Sequence, residues 1–173
     1  RENMFHATSQ HEEKDILNYF KNSRINYIPN LFNHNFNKSK CKDLNFVFYS
    51  RLHKIKGLEI ILDYIKINNL KINLDIYGFI EDKVYWDRCY KKIKSMENVN
   101  YIGTIEDGEI NLLRDKYTFF IAPTLTENFG HSIIEMISLG FIPIISKNTT
   151  PFEQLTSKFI GLNFDLYNIK DFV

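Results

Sequence analysis

The chain is short of cysteine, has no surplus of either charge sign and contains no long apolar run. Each shortage removes a class of protein. The two cysteines, Cys41 and Cys89, stand in no metal-like spacing, and no Cys-x-x-Cys pair occurs. With no signal-peptide pattern, a reduced, cytoplasmic setting is the simplest expectation. A formal net charge of +1 lacks the basic excess of a dedicated nucleic-acid binder, so no nucleic-acid partner is expected, and only a local basic pocket is left open. No apolar stretch approaches the roughly 20 residues that a membrane helix needs. No Gly-x-Gly-x-x-Gly follows the first regular strand, which argues against a dinucleotide-binding dehydrogenase domain.

What is present is a soluble, globular composition. At 173 residues, the chain holds one good-sized domain, or one domain plus a fragment. It begins with Arg1 rather than methionine and ends at Asp171-Phe172-Val173, and it reads as a piece of a longer protein.

Met4 to Ala7 is strand-like. Ser9 with Glu12 makes a capping box for a helix running to about Lys21. Ile25 to Pro29 reads as another strand, and the Asn- and Lys-rich residues 30 to 43 as a linker. From Leu44 a regular rhythm sets in. Asn45 to Tyr49 is a strand, and Leu58, Ile61, Leu62 and Ile65 then fall at helical spacing. Strands at Ile72 to Tyr77, Val99 to Ile102, Thr118 to Ala122 and Ile142 to Ile145 alternate with helices over 82 to 96, 106 to 116 and 131 to 139. Thr150-Pro151-Phe152-Glu153 has the composition of a helix start, and Ile160 to Phe164 adds a sixth strand. Alternation of this kind predicts an α/β fold with a doubly wound, Rossmann-like parallel sheet. Ligands in such sheets bind beyond the carboxyl ends of the strands. Four loops are therefore singled out, those after Tyr49, Tyr77, Ile102 and Pro123.

The first of these loops, Ser50-Arg51-Leu52-His53-Lys54-Ile55-Lys56-Gly57, brings several cations to the approach of a helix N-terminus. Cations are mildly unfavourable there, unless an anion is to be bound. Phosphate binding and a solvated basic loop both fit, and Arg51 and Lys56 are the candidates. In the last loop, Gly130 lets the backbone approach a ligand closely. The amides of Gly130, His131 and Ser132 then open a helix and can cradle a phosphate. Glu135 is the only charged side chain among Ile133, Ile134, Met136, Ile137 and Leu139, in a helix that reads as buried. A buried carboxylate needs a partner: the vicinal hydroxyls of a ribose, or an ion pair with an unseen Lys or Arg. Glu127 is either a ligand-facing residue or an exposed loop acid. His131 reads as a helix-start residue and His53 as solvent-facing. His6, His11 and His34 lack ligand spacing. Tyr85, Trp86 and Tyr90 read as the packing face of an outer helix.

The segment from Pro123 to Ile145 resembles the signature of the family-four glycosyltransferases, which have the two-domain GT-B fold. Their two glutamates with seven residues between them fall on Glu127 and Glu135. Their upstream arginine and lysine, five apart and followed by glycine, fall on Arg51, Lys56 and Gly57. The resemblance covers roughly residues 44 to 165, and His6-Ala7-Thr8-Ser9 and Ile28-Pro29-Asn30 resemble the family's crossing between its domains.

This resemblance implies that residues 1–43 are a remnant of an N-terminal domain plus linker. Residues 44–173 would be the nucleotide-sugar-binding C-terminal half of a GT-B enzyme, without its closing helix. Arg51 and Lys56 would neutralise the donor diphosphate, Glu135 would bind the ribose and Glu127 would contact the transferred sugar. Gly57, Phe129, Gly130, His131, Ser132, Gly78 and Thr104 would complete the donor site. The family implies retention of anomeric configuration, a UDP-, GDP- or ADP-sugar donor, and no cofactor or metal. It also implies a sugar or lipid-linked sugar acceptor held by the missing domain, in polysaccharide or lipopolysaccharide synthesis, with the whole enzyme possible at the inner face of a membrane. Gly78-Phe79 departs from relatives that carry more glycine there. Asn148 to Phe152 resembles a loop near the donor sugar, and Gly103-Thr104-Ile105 could offer backbone contacts to the base. The piece itself is expected to fold but to turn over little. Rival readings are a GT-B nucleotide-sugar epimerase and a non-catalytic nucleotide- or partner-binding domain.

Overall fold

A computed structural model describes residues 3–8, 10–27, 45–106, 108–152 and 161–166. Strand β1 (Met4–Ala7), helix α1 (Gln10–Tyr19) and strand β2 (Arg24–Tyr27) form a small βαβ unit whose two strands pair in parallel. Glu12 accepts from both the backbone N–H and the hydroxyl of Thr8 at 2.7 Å, which ties the entry of α1 to the strand before it. Ser9, the other half of the expected capping box, lies outside the described residues. So do the Ile28-Pro29-Asn30 crossing, the 30–43 linker, Cys41, Glu153 and the first residue of the expected sixth strand.

The rest of the chain follows one six-stranded sheet. In order come β3 (Asn45–Tyr49), α2 (Leu58–Ile67), β4 (Asn73–Tyr77), α3 (Lys83–Ile93) and β5 (Val99–Gly103). A 3-10 helix (Glu109–Asp115), β6 (Phe119–Ala122), α4 (His131–Ser138), β7 (Ile142–Ser146) and β8 (Leu162–Phe164) complete it. The spatial order is β5-β4-β3-β6-β7-β8, and every pairing is parallel. Counted from β3, this is the 3-2-1-4-5-6 order of a dinucleotide-binding Rossmann sheet.

Alternation along the strands explains why both faces are covered. Phe48, Leu74, Ile76, Ile121 and Ile144 point to one face and pack with the apolar stripes of α2 and α3. Val47, Phe120, Ala122 and Ile145 point to the other and pack with α4 and the 3-10 helix. Phe48 and Phe120 are each 1% exposed, and truncating either to alanine costs about 3–5 kcal/mol. As expected, Tyr85 and Trp86 are the packing face of α3, whereas Tyr90 is partly exposed. The Tyr85 hydroxyl does more than pack, because it accepts the Glu59 N–H at 2.9 Å. In this way it satisfies an orphan amide of α2, whose N-terminal residue Gly57 has no capping side chain.

One element differs from its expectation. The α-helix read over 106 to 116 is a 3-10 helix over Glu109–Asp115. Only Ile110 and Leu113 of this segment are buried, while Leu112 is 65% exposed. A three-residue turn stacks i and i+3 directly above one another, which suits a buried pair three apart with no partner at i+4. At Thr150 the chain turns, and the hydroxyl accepts the Phe152 N–H at 3.2 Å.

Candidate functional site

Strand order reverses between β3 and β6, so the loops leaving these two neighbours diverge to opposite faces. A crevice opens between them at the carboxyl edge. In the first loop, the His53 imidazole accepts the Ile55 N–H at 3.3 Å and caps a short 3-10 helix, Lys54–Lys56. His53 is therefore a half-buried cap and not the solvent-facing residue expected. Gly57 then turns the chain into α2 with φ of 70°. A Cβ there would stand 1.8 Å from the carbonyl oxygen of Pro123. Glycine thus lets the two loops touch main chain to main chain.

The second loop is fixed from below. The Thr124 hydroxyl lies 3.1 Å from the carbonyl of Ile55 and 2.9 Å from that of Thr126. The Leu125 N–H donates to Ile55 O at 2.8 Å. The buried Ser146 hydroxyl sits 2.6 Å from both the Thr124 carbonyl and the Thr149 hydroxyl.

Across this crevice Lys56 Nζ donates to Glu127 Oε2. The two side chains are only 12% and 16% exposed, and they come from positions 71 residues apart. Glu127 is thus neither an exposed loop acid nor an unengaged ligand-facing one. It is half of a largely buried ion pair. Arg51 is placed differently. Its guanidinium donates to Glu81 at 2.6 Å, with side chains 54% and 35% exposed.

Beside the pair, α4 begins at Gly130 with no side-chain cap and no acid in its first turn. A helix start capped by glycine and without an acid carries the partial positive charge that suits an anion. Glu135 follows one turn later. It is half-buried rather than buried, because its place is a wall of an open cavity and not the core beneath α4.

That cavity has a volume of about 400 Å³. All four loops singled out from the sequence reach it. Arg51 and Lys56 come from the first, Gly78 from the second, Thr104 from the third, and Glu127, His131, Ser132 and Glu135 from the last. Gly57, Phe129 and Gly130 do not line it. Gly57 backs the crevice against Pro123, and the Phe129 ring packs edge-on against His131 with centroids 4.6 Å apart. Gly78 is held by its N–H to Gly103 O at 2.8 Å and by the Tyr101 hydroxyl on its carbonyl at 3.0 Å. A Cβ on Gly78 would lie 1.7 Å from Ser50 O.

Tyr49, Ser50, Phe79 and Ile105 also line the cavity; of these the sequence offered Ile105 as a backbone contact and Phe79 as a departure from relatives, and it did not single out Tyr49 or Ser50. Phe79 carried a signal, as a large apolar side chain directly after a strand-end glycine, and it is 49% exposed. Phe79 and Ile105 give the cavity an apolar part, while Arg51, Lys56 and α4 give it a polar one. Among the described residues, no group of three or more His, Cys, Asp or Glu side chains is placed to hold a metal ion. No helix among them is long and apolar enough to cross a membrane.

Strand order, the reversal between β3 and β6 and a cavity over it define a Rossmann-like α/β domain. The family model of glycosyl transferases group 1 matches residues 29–173, and the chain belongs to that family. It is 27% identical over 137 residues to an uncharacterized 41.2 kDa protein in the cps region of Klebsiella pneumoniae, covering 79% of this chain and 36% of that protein. It is 25% identical over 132 residues to the phosphatidylinositol N-acetylglucosaminyltransferase gpi3 subunit of Schizosaccharomyces pombe, covering 72% and 29%. The chain thus spans about a third of the length of these curated relatives. Among solved structures it resembles Anabaena Alr3699/HepE in complex with UDP and glucose, at a TM-score of 0.70 and 16% identity, covering 92% of this chain and 48% of that one. At that identity the likeness concerns the fold.

Proposed function

We propose that the chain is the donor-binding half of a retaining glycosyltransferase, which moves a sugar from a nucleotide sugar to a sugar or lipid-linked acceptor without a metal ion. The observation that carries this reading is the cavity over the strand-order reversal, where Lys56, Glu127, Arg51 and the glycine-capped start of α4 meet. Family membership and the UDP and glucose bound by the Anabaena relative support it. In this reading the diphosphate lies against Arg51, Lys56 and the first amides of α4. Glu135 takes the ribose hydroxyls, Glu127 contacts the transferred sugar, and Phe79 and Ile105 border the base. Residues 44–173 form the donor domain, and the acceptor is held by a separate N-terminal domain of which residues 1–43 are the end. Synthesis of a polysaccharide or lipopolysaccharide in the cytoplasm, at the inner face of the membrane, is the matching setting.

The chemistry follows from the charge pattern. When the glycosidic bond of the donor breaks, the leaving diphosphate gains negative charge. Cations and amides already fixed around it stabilise that charge more than they stabilise the bound donor, which lowers the barrier. Calorimetric titration with UDP, GDP and ADP, with and without EDTA, tests the reading. Saturable binding of one nucleotide, indifferent to EDTA and weakened by Lys56→Ala, is the expected result. Binding of none of the three by the folded protein refutes it.

A further inference from the structure

Arg51 and Glu81 belong to different loops, yet main chain holds them in register. Leu52 and Ile80 form a parallel β-bridge. The Leu52 N–H donates to Phe79 O at 2.9 Å, and the Asp82 N–H donates to Leu52 O at 3.2 Å. Leu52 itself is fully buried. The residues after β3 and after β4 are therefore one stitched piece, with Arg51 on one edge and Glu81 on the other. Arg51 lines the cavity and Glu81 does not. Arg51 thus borders the cavity while its guanidinium is bonded to a carboxylate that does not line it.

Both cations that line the cavity are thus neutralised by the chain's own acids, Lys56 by Glu127 and Arg51 by Glu81. The two pairs differ in how readily they exchange. Lys56 and Glu127 are 12% and 16% exposed, and Arg51 and Glu81 are 54% and 35% exposed. An ion pair in water's reach is weak and trades partners easily, whereas a desolvated one resists separation. An anion entering the cavity therefore meets one fixed cation and one exchangeable cation.

We propose that Glu81 is a positioning residue that competes with the anionic ligand for Arg51, and so sets how tightly the diphosphate end is held and how quickly it leaves. This rests on the nucleotide-sugar reading and extends it to a residue that lines no part of the cavity. With Glu81 in place, Arg51 trades one carboxylate partner for phosphate oxygens on binding and trades back on release. With glutamine there, Arg51 has no charged rival partner, and a negative charge near the ligand is gone. The gain must therefore pass through Arg51 and shrink as salt rises.

The experiment is a double-mutant cycle read by calorimetry. Wild type, Glu81→Gln, Arg51→Gln and the double variant are titrated with UDP, GDP and ADP at low and high ionic strength. Glu81→Gln is expected to bind the cognate nucleotide about five-fold tighter at low salt, the scale of an exposed charge pair. The gain should largely vanish in the Arg51→Gln background and at high salt. Unchanged or weaker binding by Glu81→Gln overturns the proposal, as does a gain that persists without Arg51. If wild type binds a nucleotide and Glu81→Gln does not differ from it, only this inference falls. If wild type binds none, the nucleotide-sugar reading falls and takes this inference with it.

Discussion

The carbonyl oxygen of Ile55 accepts the Leu125 N–H at 2.8 Å, so the residue before Lys56 is tied by main chain to the loop that presents Glu127. The Thr124 hydroxyl reaches the same carbonyl. Lys56 and Glu127 consequently face one another from anchored positions, and little reorganisation is needed to keep them there.

Replacing Lys56 by methionine leaves the Glu127 carboxylate largely buried and unpaired. A stability loss of about 1–3 kcal/mol is expected from that orphaned charge. Adding Glu127→Gln should restore most of the loss, because a neutral pair needs no counter-charge. Nucleotide affinity should stay at least about ten-fold reduced in both variants, since the cation is gone. Thermal melts and titrations separate the two effects. Recovery of nucleotide binding by the double variant would show that Lys56 is purely structural.

Gly57→Ala should be among the more damaging single changes in the loops. The new methyl group would sit 1.8 Å from the Pro123 carbonyl oxygen, at a φ of 70°. Left-handed strain costs on the order of 1–3 kcal/mol, and relieving the clash forces the two loops apart. Tm should fall by several degrees and nucleotide affinity with it. A fully stable variant with unaltered binding would mean that the two loops separate without penalty.

Glu135→Gln should distinguish the two ends of the ligand. If Glu135 accepts from ribose hydroxyls, affinity for the cognate nucleoside diphosphate falls about ten-fold, the scale of a charged hydrogen bond. Affinity for inorganic pyrophosphate should stay level or rise slightly as a negative charge is removed. Equal losses for both ligands would move Glu135 away from the ribose.

Stability should decline in alkali. Burial pushes the Cys89 thiol up to about 11 from its usual 9.0. Burial also raises the Tyr85 hydroxyl, and burial together with the bond to Asp75 raises that of Tyr117. In each case the folded state holds a proton that the unfolded chain surrenders first. The stabilisation is intact below about pH 9 and is lost as pH rises from there toward 11. Melts across that window should show a falling Tm, with a shallower fall in Cys89→Ala. Cys89 should also resist alkylation at pH 8 until the chain is unfolded.

The sheet was legible because each strand and helix carries its own period. Leu58, Ile61, Leu62 and Ile65 lie at helical spacing, and all are buried. Strand order was legible only as a class, since pairing is decided by tertiary packing. The segment after Ile105 was misread because Ile110 and Leu113 fit an α-helical and a 3-10 spacing alike. In the site, glycines and charged residues at strand ends named the four loops that meet at one cavity. Their partners were beyond reach: nothing local to Lys56 points to Glu127, and nothing local to Arg51 points to Glu81. Both pairings depend on which strands come to lie side by side, β3 with β4 for one and β3 with β6 for the other. Glu135 was read as buried because its neighbours are apolar, yet those neighbours turn to the core while it turns to the cavity edge.

The 71-residue separation of Lys56 and Glu127 also bears on how the protein is made. Phe46 pairs with Phe119 across the same seam, with two other strands and two α-helices falling between them in sequence. Contacts that close so long a loop bear their entropic cost before they return any stability, and they form late. A chain with only β3, β4 and β5 assembled has eight of the twelve residues that line the cavity and none of the Glu127 loop. On the proposed reading, nucleotide recognition would be reserved for chains whose sheet has closed at its centre, and a bound nucleotide would stabilise that finished state over every partly folded one.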